Sequence, residues 1–251
     1  MNSHPSNSSA MNTNPVQFDP ARVSISCRGI VKEFGEGQAK VTVLHGVDID
    51  FPKGATSFLV GPSGCGKTTL ISVIAGLLTA TGGRVSILGE ELTTMRGSKL
   101  VEFRAKHLGF IFQQFNLIPA LTAAENAAVS LVVRGWTLAS AKRESNRLLD
   151  RLGMGANRNK YPNQLSGGQQ QRIAIARSLV HDPDIVICDE PTASLDAETG
   201  RDVMVLLKEV ASSSERAVIV VTHDNRIYSF ADCIATMSDG RIERFESLTR
   251  T

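Results

Sequence analysis

The chain has 251 residues and a mass of 27.0 kDa, which is enough for one or two domains and for a core without disulfide bonds. Its 27 basic and 25 acidic residues leave a net charge of +2, so the overall charge gives no argument for nucleic-acid binding. The four cysteines form no C-x-x-C pair and match no zinc-binding spacing, which favours a reduced, cytosolic setting. The sequence contains no apolar block of about 20 residues, and residues 1–20 lack the pattern of a secretory signal.

The first 20 residues differ in composition from the rest of the chain. Ser, Asn and Pro dominate residues 1–20, and such a segment buries too little apolar area to offset the entropy of ordering. We therefore predict a flexible tail over residues 1–20, followed by a folded unit over residues 21–251.

Patterns of apolar residues predict the elements that follow. Apolar and polar residues alternate from Val23 to Cys27 and again from Val41 to Phe51, which favours a half-exposed antiparallel sheet. Continuous apolar runs, typical of strands buried on both faces of a parallel sheet, lie at 58–60, 185–187 and 218–221. Helix-like segments lie at 68–78, 137–152, 168–180 and 197–212. This alternation indicates an α/β fold, and Asp239-Gly240 between two final strand-like runs predicts a hairpin.

A glycine-rich loop provides the most specific chemical signal. The loop reads Gly61-Pro62-Ser63-Gly64-Cys65-Gly66-Lys67-Thr68, which matches G-x-x-x-x-G-K-[ST] between a buried strand and a helix. Glycines let the backbone N–H groups surround a phosphate, and the helix N-terminus adds positive potential. Lys67 is then placed to reach the β- and γ-phosphates, and the Thr68 hydroxyl to ligate Mg²⁺. We predict a nucleotide site formed by this loop together with Thr69.

Two carboxylates follow the second buried strand. Asp189 is placed to hold Mg²⁺, directly or through water, at the carboxyl end of the strand, where ligands bind in open α/β sheets. Because side chains alternate along a strand, Glu190 is expected to point elsewhere, where it can accept a proton from attacking water. The alternative is a pair of acids that only cap the strand end, which is a weaker interpretation in a chain that also has a phosphate loop.

A second anion site is predicted at the start of another helix. In the segment Leu165-Ser166-Gly167-Gly168-Gln169, Ser166 and Gln169 have the S-x-x-Q spacing of a capping box. The two glycines leave the backbone N–H groups at this helix start accessible to an anion. One nucleotide does not need two such sites from one subunit, whereas two subunits facing each other head to tail would use both.

The order of phosphate loop, Leu-Ser-Gly-Gly-Gln and apolar strand with Asp-Glu resembles the nucleotide-binding subunit of an ATP-binding cassette (ABC) transporter, over about residues 22–245. The resemblance implies an α/β, RecA-like P-loop NTPase core with an antiparallel β subdomain. It implies a nucleotide-binding domain over 21–251, with an inserted helical subdomain at about 114–168. ATP, with Mg²⁺, would lie between residues 61–68 of one subunit and residues 166–169 of another, and its hydrolysis to ADP and phosphate would drive transport.

The same resemblance implies roles for single residues. Phe34 resembles the aromatic residue that stacks on adenine, although Phe34 could instead be a packed strand residue. Gln113 resembles the glutamine that contacts Mg²⁺ and links to the membrane subunit. The neighbouring Gln114 leaves that choice open, and the spacing to Phe112 favours Gln113. Asp196 resembles a residue of the loop that communicates across the dimer, and His223 resembles the switch histidine that contacts the γ-phosphate. The implied catalytic residues are Glu190, His223 and Gln113, and the implied metal ligands are Thr68, Gln113 and Asp189.

The segment 107–126 is similar to the ATPases of macrolide-export and lipoprotein-release systems, whose membrane subunits are FtsX-like permeases. We therefore expect an exporter ATPase, a homodimer on the cytoplasmic face of the inner membrane, bound to permease subunits and not to nucleic acid. Importer ATPases share much of this pattern and remain an alternative. A soluble ABC ATPase without a transport role, such as a cluster-assembly ATPase, is another. The short spacing between Lys67 and Leu165 argues against the coiled coil of repair members.

Cys65 occupies a variable position of the phosphate loop. If it is exposed at the helix N-terminus, its thiolate is expected to be reactive. We then expect a thiol-alkylating reagent to inactivate the protein and MgATP to protect it.

Overall fold

The computed structural model of the protein describes residues 19–248. The predicted tail therefore lies outside the described residues, except for Asp19 and Pro20. Asp19 caps the short 3-10 helix Pro20–Arg22, and its carboxylate accepts a hydrogen bond from the N–H of Ala21 at 3.0 Å. Between residues 19 and 248, no helix combines the length and the apolar character that crossing a bilayer requires.

The strands and helices alternate along most of the chain. The strands are β1 (Val23–Phe34), β2 (Val41–Pro52), β3 (Thr56–Val60), β4 (Gly82–Ile87), β5 (Glu90–Glu91), β6 (Leu108–Ile111), β7 (Ile185–Asp189), β8 (Ala217–Thr222), β9 (Cys233–Ser238) and β10 (Arg241–Ser247). The α-helices are α1 (Lys67–Ile74), α2 (Gly97–His107), α3 (Ala123–Val133), α4 (Leu138–Arg151), α5 (Gly167–Leu179) and α6 (Ala197–Ala211). Further 3-10 helices are Gly37–Ala39, Leu92–Thr94, Gly155–Asn157, Pro162–Gln164 and Asn225–Phe230.

The larger sheet has six strands in the order β10-β9-β3-β8-β7-β6. All of its neighbouring strands are parallel except β10, which pairs antiparallel with β9. Every residue of β7 and β8 is buried, which confirms the prediction from the continuous apolar runs. Alternate residues of β7 belong to two separate apolar cores, with Ile185 and Ile187 in the core that contains α1. Val186 and Cys188 lie in the core that contains α5 and α6, so helices cover both faces of the sheet.

The smaller sheet is antiparallel, in the order β2-β1-β4-β5. This confirms the sheet predicted from the alternation in the first strands. Its buried face shares one core with α1, in which Ile25 and Phe51 are fully buried together with Leu70 and Ile74. The smaller sheet therefore fixes α1, and with it the phosphate loop that precedes α1.

Four predicted helices are confirmed as α1, α4, α5 and α6. The first of them ends earlier than predicted, at Ile74, because Gly76 adopts a φ of 61° that a helix cannot continue through. Helices α2 and α3 were not predicted. Phe103 is the one buried residue of α2, and α3 carries alanine, valine or leucine on nearly all sides, so neither shows a clear apolar stripe. Both α3 and α4 fall in the segment about 114–168, whose boundaries as a helical subdomain stay a prediction.

The final hairpin is confirmed and supports the phosphate loop. β9 and β10 are joined by Asp239 and Gly240, whose φ values of 42° and 70° are those of a type I′ turn. The N–H of Gly240 donates to the carbonyl of Cys65 at 3.0 Å. A side chain on Gly61 would collide with the carbonyl oxygen of Met237 in β9. The hairpin therefore packs directly against the backbone of residues 61–66.

Candidate functional site

The carboxyl ends of the parallel strands meet at one edge of the larger sheet. The register pairs Val60 of β3 with Thr222 of β8, and Asp189 of β7 with Val221 of β8, so these strands end at the same level. β6 lies beside β7, and it leads into the segment of Gln113 at the same edge. The phosphate loop, the two acids, His223 and Gln113 are therefore brought to one place, as ligand sites in parallel sheets usually are.

The phosphate loop uses glycine where the backbone requires it. Gly61, Gly64 and Gly66 have φ values of 151°, 80° and 103°, which other residues rarely adopt. Gly66 is the N-cap of α1, so no side chain occupies the start of this helix, and the first turn contains no acidic residue. The N-terminal N–H groups and the dipole of α1 are therefore directed toward an anion held by the loop.

Lys67 lies inside the loop. Its side-chain Nζ donates to the carbonyl oxygens of Gly61 at 2.8 Å and Pro62 at 2.9 Å, and the residue is only 6% exposed. Both carbonyl groups are neutral, and the nearby Lys67 charge acts to lower the pKa of Asp189. A buried ammonium in this position is suited to bind the oxygens of a phosphate.

Asp189 and Thr68 lie side by side and present two oxygen atoms that can ligate a metal. The Thr68 hydroxyl donates to Oδ1 of Asp189 at 3.1 Å. Burial raises the pKa of Asp189 above its ordinary value, and the hydrogen bond from Thr68 opposes that shift. No cluster of three or more His, Cys, Asp or Glu residues suited to a metal occurs within the described part of the chain. The donor pair fits Mg²⁺, which typically binds one or two protein ligands together with water and substrate phosphates.

Glu190 and His223 form a second pair. Oε1 of Glu190 lies 2.8 Å from Nδ1 of His223, and the Glu190 side chain is 12% exposed against 58% for His223. Glu190 has a φ of 49°, a strained conformation that turns the chain directly after β7. The two neighbouring carboxylates therefore have different partners, Thr68 for Asp189 and His223 for Glu190. This separation allows one carboxylate to bind a metal and the other to act as a proton acceptor.

The segment 165–169, here called the signature segment, forms the capped helix start that its spacing predicts. The Ser166 N–H donates to Oε1 of Gln169 at 3.0 Å, and the Gln169 N–H donates to Oγ of Ser166 at 3.3 Å. A side chain on Gly168 would meet the Thr199 methyl group, and one on Gly167 would lie 3.3 Å from Leu195 Cδ2. The atoms nearest to side chains on these two glycines thus belong to Ser194, Leu195 and Thr199, at the start of α6, and to Phe115.

Asp196 has a structural role that the sequence analysis did not assign to it. It is the N-cap of α6, and its Oδ1 accepts hydrogen bonds from the N–H groups of Glu198 at 3.1 Å and Thr199 at 3.0 Å. These bonds, led by that of Thr199, lower the pKa of Asp196. The exposed Asp196 thus orders the start of α6, and a contact across a dimer stays a prediction.

Phe34 and Gln113 are both accessible. Phe34 ends β1 and is 42% exposed, so it is not a packed core residue, and Lys32 Nζ lies 4.8 Å from the centre of its ring. Gln113 is exposed in a turn closed by the Phe115 N–H, which donates to the Phe112 carbonyl at 3.1 Å. The free ring face of Phe34 is suited to stacking.

Sequence reasoning missed the contribution of the final hairpin to this site. The hairpin itself was predicted, but its contact with Gly61 and Cys65 depends on β9 lying beside β3. Strand order across a sheet has no local signal in the sequence.

Cys65 is buried, so the condition for its predicted reactivity is not met. The residue is 6% exposed, and its Sγ lies 3.9 Å from Nζ of Lys67. A thiol-alkylating reagent must therefore first open the loop, and the reactivity expected of an exposed Cys65 does not apply to the folded protein.

We expect N-ethylmaleimide to modify Cys65 at least about tenfold more slowly in the native protein than in urea, since buried thiols are inert. Mass spectrometry of the peptide that contains Cys65 measures both rates. The Cys65→Ser variant controls for the other three cysteines, which are also buried. Equal rates in native and unfolded protein would contradict the burial.

The chain is similar to known proteins over most of its length. Residues 44–193 match the protein family described as ABC transporter. The lipoprotein-releasing system ATP-binding protein LolD of Chromohalobacter salexigens is 37% identical over 233 residues, covering 93% of this chain and 98% of LolD. The macrolide export ATP-binding/permease protein MacB 2 of Aeromonas hydrophila is 39% identical over 219 residues. That match covers 87% of this chain but 34% of MacB 2, so the chain spans about a third of this relative.

A solved structure also matches. The dimeric ATP-binding cassette MJ0796, in a post-hydrolysis state bound to ADP and Pi, superposes with a TM-score of 0.83 and 35% identity. The match covers 90% of this chain and all of that one. These similarities agree with the RecA-like α/β architecture. The chain therefore belongs to the ABC transporter family and is an ATP-binding subunit that hydrolyses ATP.

Proposed function

We propose that the chain is the ATPase subunit of an ABC exporter, and that it works as a homodimer on a separate FtsX-like permease. The observation that carries this proposal is the arrangement at the sheet edge. A buried Lys67 held by neutral carbonyl groups meets the Thr68–Asp189 pair and the Glu190–His223 pair there, while a second anion-binding helix start lies at Ser166.

The phosphate-binding residues are proposed to be the loop 61–68 and Thr69. The ammonium of Lys67 exchanges its carbonyl partners for β- and γ-phosphate oxygens, because ionic hydrogen bonds are stronger than those to neutral acceptors. Thr68 and Asp189 are the proposed ligands of Mg²⁺, with Gln113 as a third. When bound, the metal neutralises charge on the β- and γ-phosphates. Phe34 offers its exposed ring face to adenine.

Glu190 is the proposed group that accepts a proton from the attacking water. It is fixed by His223 at 2.8 Å, and its side chain is mostly sheltered from solvent. His223 retains Nε2 for a contact with the γ-phosphate. Through His223, binding of the γ-phosphate would thus influence the orientation of the Glu190 carboxylate.

The second anion site supports the dimer. The atoms nearest to a side chain placed on Gly167 or Gly168 belong to Leu195, Ser194, Phe115 and Thr199 rather than to residues 61–68, and Asp196 lies at the neighbouring start of α6. In a head-to-tail dimer, the signature segment of one copy would complete the ATP site of the other. The dimeric MJ0796 cassette supports this arrangement. Closure around ATP would transmit force, and hydrolysis would reset the dimer.

The exporter assignment rests on relatives. LolD belongs to a lipoprotein-releasing system and matches over nearly its whole length, while MacB 2 combines the matching region with a permease in one protein. We therefore place the chain at the cytoplasmic face of the inner membrane, on a permease supplied by another chain.

A trap for the ATP-bound state tests this proposal. We expect tagged Glu190→Gln protein, extracted from membranes in mild detergent with MgATP, to co-purify with a multi-span FtsX-like permease. The matched control is Lys67→Ala, which is expected to capture much less because it binds ATP poorly. Recovery of an importer permease would contradict the exporter assignment. Recovery of soluble partners alone, with the protein absent from membranes, would contradict transport.

A further inference from the structure

Arg177 makes an unusual pair of contacts from the second half of α5. Its Nη2 donates to the carbonyl of Phe115 at 2.7 Å, and its Nη1 donates to the carbonyl of Asn116 at 2.6 Å. The planar guanidinium thus bridges two consecutive backbone carbonyls. A lysine has one nitrogen and lacks this fork.

The segment that Arg177 holds is the turn that carries Gln113. Phe115 and Asn116 have φ values of 57° and 49°, which non-glycine residues seldom adopt. The N–H of Phe115 closes the turn onto Phe112, so the residue bound by Arg177 is also the residue that defines the position of Gln113. At the other end of α5, a methyl group on Gly167 would lie 3.9 Å from Cζ of Phe115.

Arg177 does not lie at this half-buried position to form an ion pair. The residue is half-buried, and burial lowers its pKa. Its side-chain bonds among the described residues go to neutral carbonyl groups, and none of the ion pairs there includes it. A partly desolvated cation without an acid is costly, and the bonds that offset this cost are the two to the loop carbonyls.

The next part of the same loop is fixed from α3. The buried Asn126 accepts a hydrogen bond from the N–H of Ile118 at 2.7 Å and donates to the carbonyl of Leu121 at 2.9 Å. Ser130 of α3 also donates to the carbonyl of Arg177 at 2.8 Å. The loop from 115 to 122 is therefore attached to α5 and α3 together.

We propose that Arg177 is a positioning residue for ATP hydrolysis, because it ties the Gln113 turn to the helix that begins with the signature segment. This inference rests on the proposed role of Gln113. Arg177 itself touches neither nucleotide nor metal.

Amide hydrogen exchange and kinetics on the full chain test the inference. In nucleotide-free protein, we expect Arg177→Met to raise exchange in residues 112–118 without a comparable rise in α5. In steady state, we expect kcat to fall about tenfold and the Mg²⁺ concentration for half-maximal rate to rise. Loss of a group that orients a metal ligand without touching the metal typically has effects of this size. KM for ATP is expected to change less than about threefold, since the phosphate loop is untouched. Arg177→Lys is expected to rescue neither result, because it cannot bridge both carbonyls.

Arg172→Met is the matched control. Arg172 lies on the same helix and also donates to a backbone carbonyl, that of Leu152 at 3.2 Å, which is remote from the Gln113 turn. We expect its exchange at 112–118 and its Mg²⁺ dependence to match wild type, whatever its thermal stability. If both variants changed exchange at 112–118 and Mg²⁺ dependence equally, Arg177 would only stabilise the fold, and the inference would be overturned.

Gln113→Ala separates the inference from the function on which it rests. We expect this variant to show the same Mg²⁺ shift, and the double variant with Arg177→Met to be no worse than the poorer single variant. An impaired Gln113→Ala beside a normal Arg177→Met would overturn the role of Arg177 alone. A normal Gln113→Ala would overturn the role of Gln113 and the inference together.

Discussion

Replacing Glu190 with Gln is expected to lower steady-state ATP hydrolysis by at least about 100-fold, the usual contribution of a general base. The amide is nearly the same size as the carboxylate and can keep a hydrogen bond to His223, but it cannot accept a proton from water. Lys67, Thr68 and Asp189 are unchanged, so ATP affinity is expected to stay within about threefold of wild type. With hydrolysis blocked, MgATP is expected to hold the protein as a dimer.

Phosphate release measures the turnover, fluorescent-nucleotide titration the affinity, and size-exclusion chromatography the dimer. Glu209→Gln is a matched control, because Glu209 is an exposed residue of α6, outside the proposed site. It is expected to behave as wild type in all three measurements. Unchanged hydrolysis in Glu190→Gln would reject Glu190 as the base.

Replacing Lys67 with Ala is expected to weaken ATP binding as well as turnover. The wild-type ammonium is buried inside the loop, on the Gly61 and Pro62 carbonyls, and there it can form charge-assisted bonds to phosphate. Such bonds contribute about 1.5–3 kcal/mol, which corresponds to a loss of about 10- to 100-fold in affinity. Loss of binding should also prevent the ATP-dependent dimer that Glu190→Gln accumulates.

Lys99→Ala controls for the loss of one lysine, since Lys99 is exposed on α2. Isothermal titration with ATP and Mg²⁺ is the direct measurement, with circular dichroism to show that the fold is retained. If Lys67→Ala bound ATP as tightly as Lys99→Ala, the loop would not be the phosphate site.

Much of the fold follows from patterns within short stretches of sequence. Apolar runs in β3, β7 and β8 and the helix patterns of α4, α5 and α6 require only local periodicity. Segments without such a pattern were not predicted. The short edge strand β6, the mostly polar α2 and the alanine-rich α3 obtain their structure from packing on neighbours that are distant in sequence.

The candidate site likewise combines features that follow from local sequence with features that depend on distant parts of the chain. The phosphate loop and the capping box of Ser166 and Gln169 are local, because each motif is one turn and one helix start. The burial of Cys65 was missed, since it depends on a hairpin that begins more than 160 residues later and donates from Gly240 to the Cys65 carbonyl. The role of Asp196 as the N-cap of α6 was local and could have been predicted from the Asp that precedes an amphipathic helix.

The sequence by itself determined the family, the order of the motifs and the residue types that can bind phosphate, ligate Mg²⁺ and accept a proton. Only the tertiary structure decided which of these groups meet. Glu190 reaches His223, Thr68 reaches Asp189 and Arg177 reaches the Gln113 turn, because the parallel strands lie side by side in an order different from that of the chain. Side-chain periodicity is a property of neighbouring residues, whereas lateral strand order and helix packing depend on burial over the whole molecule.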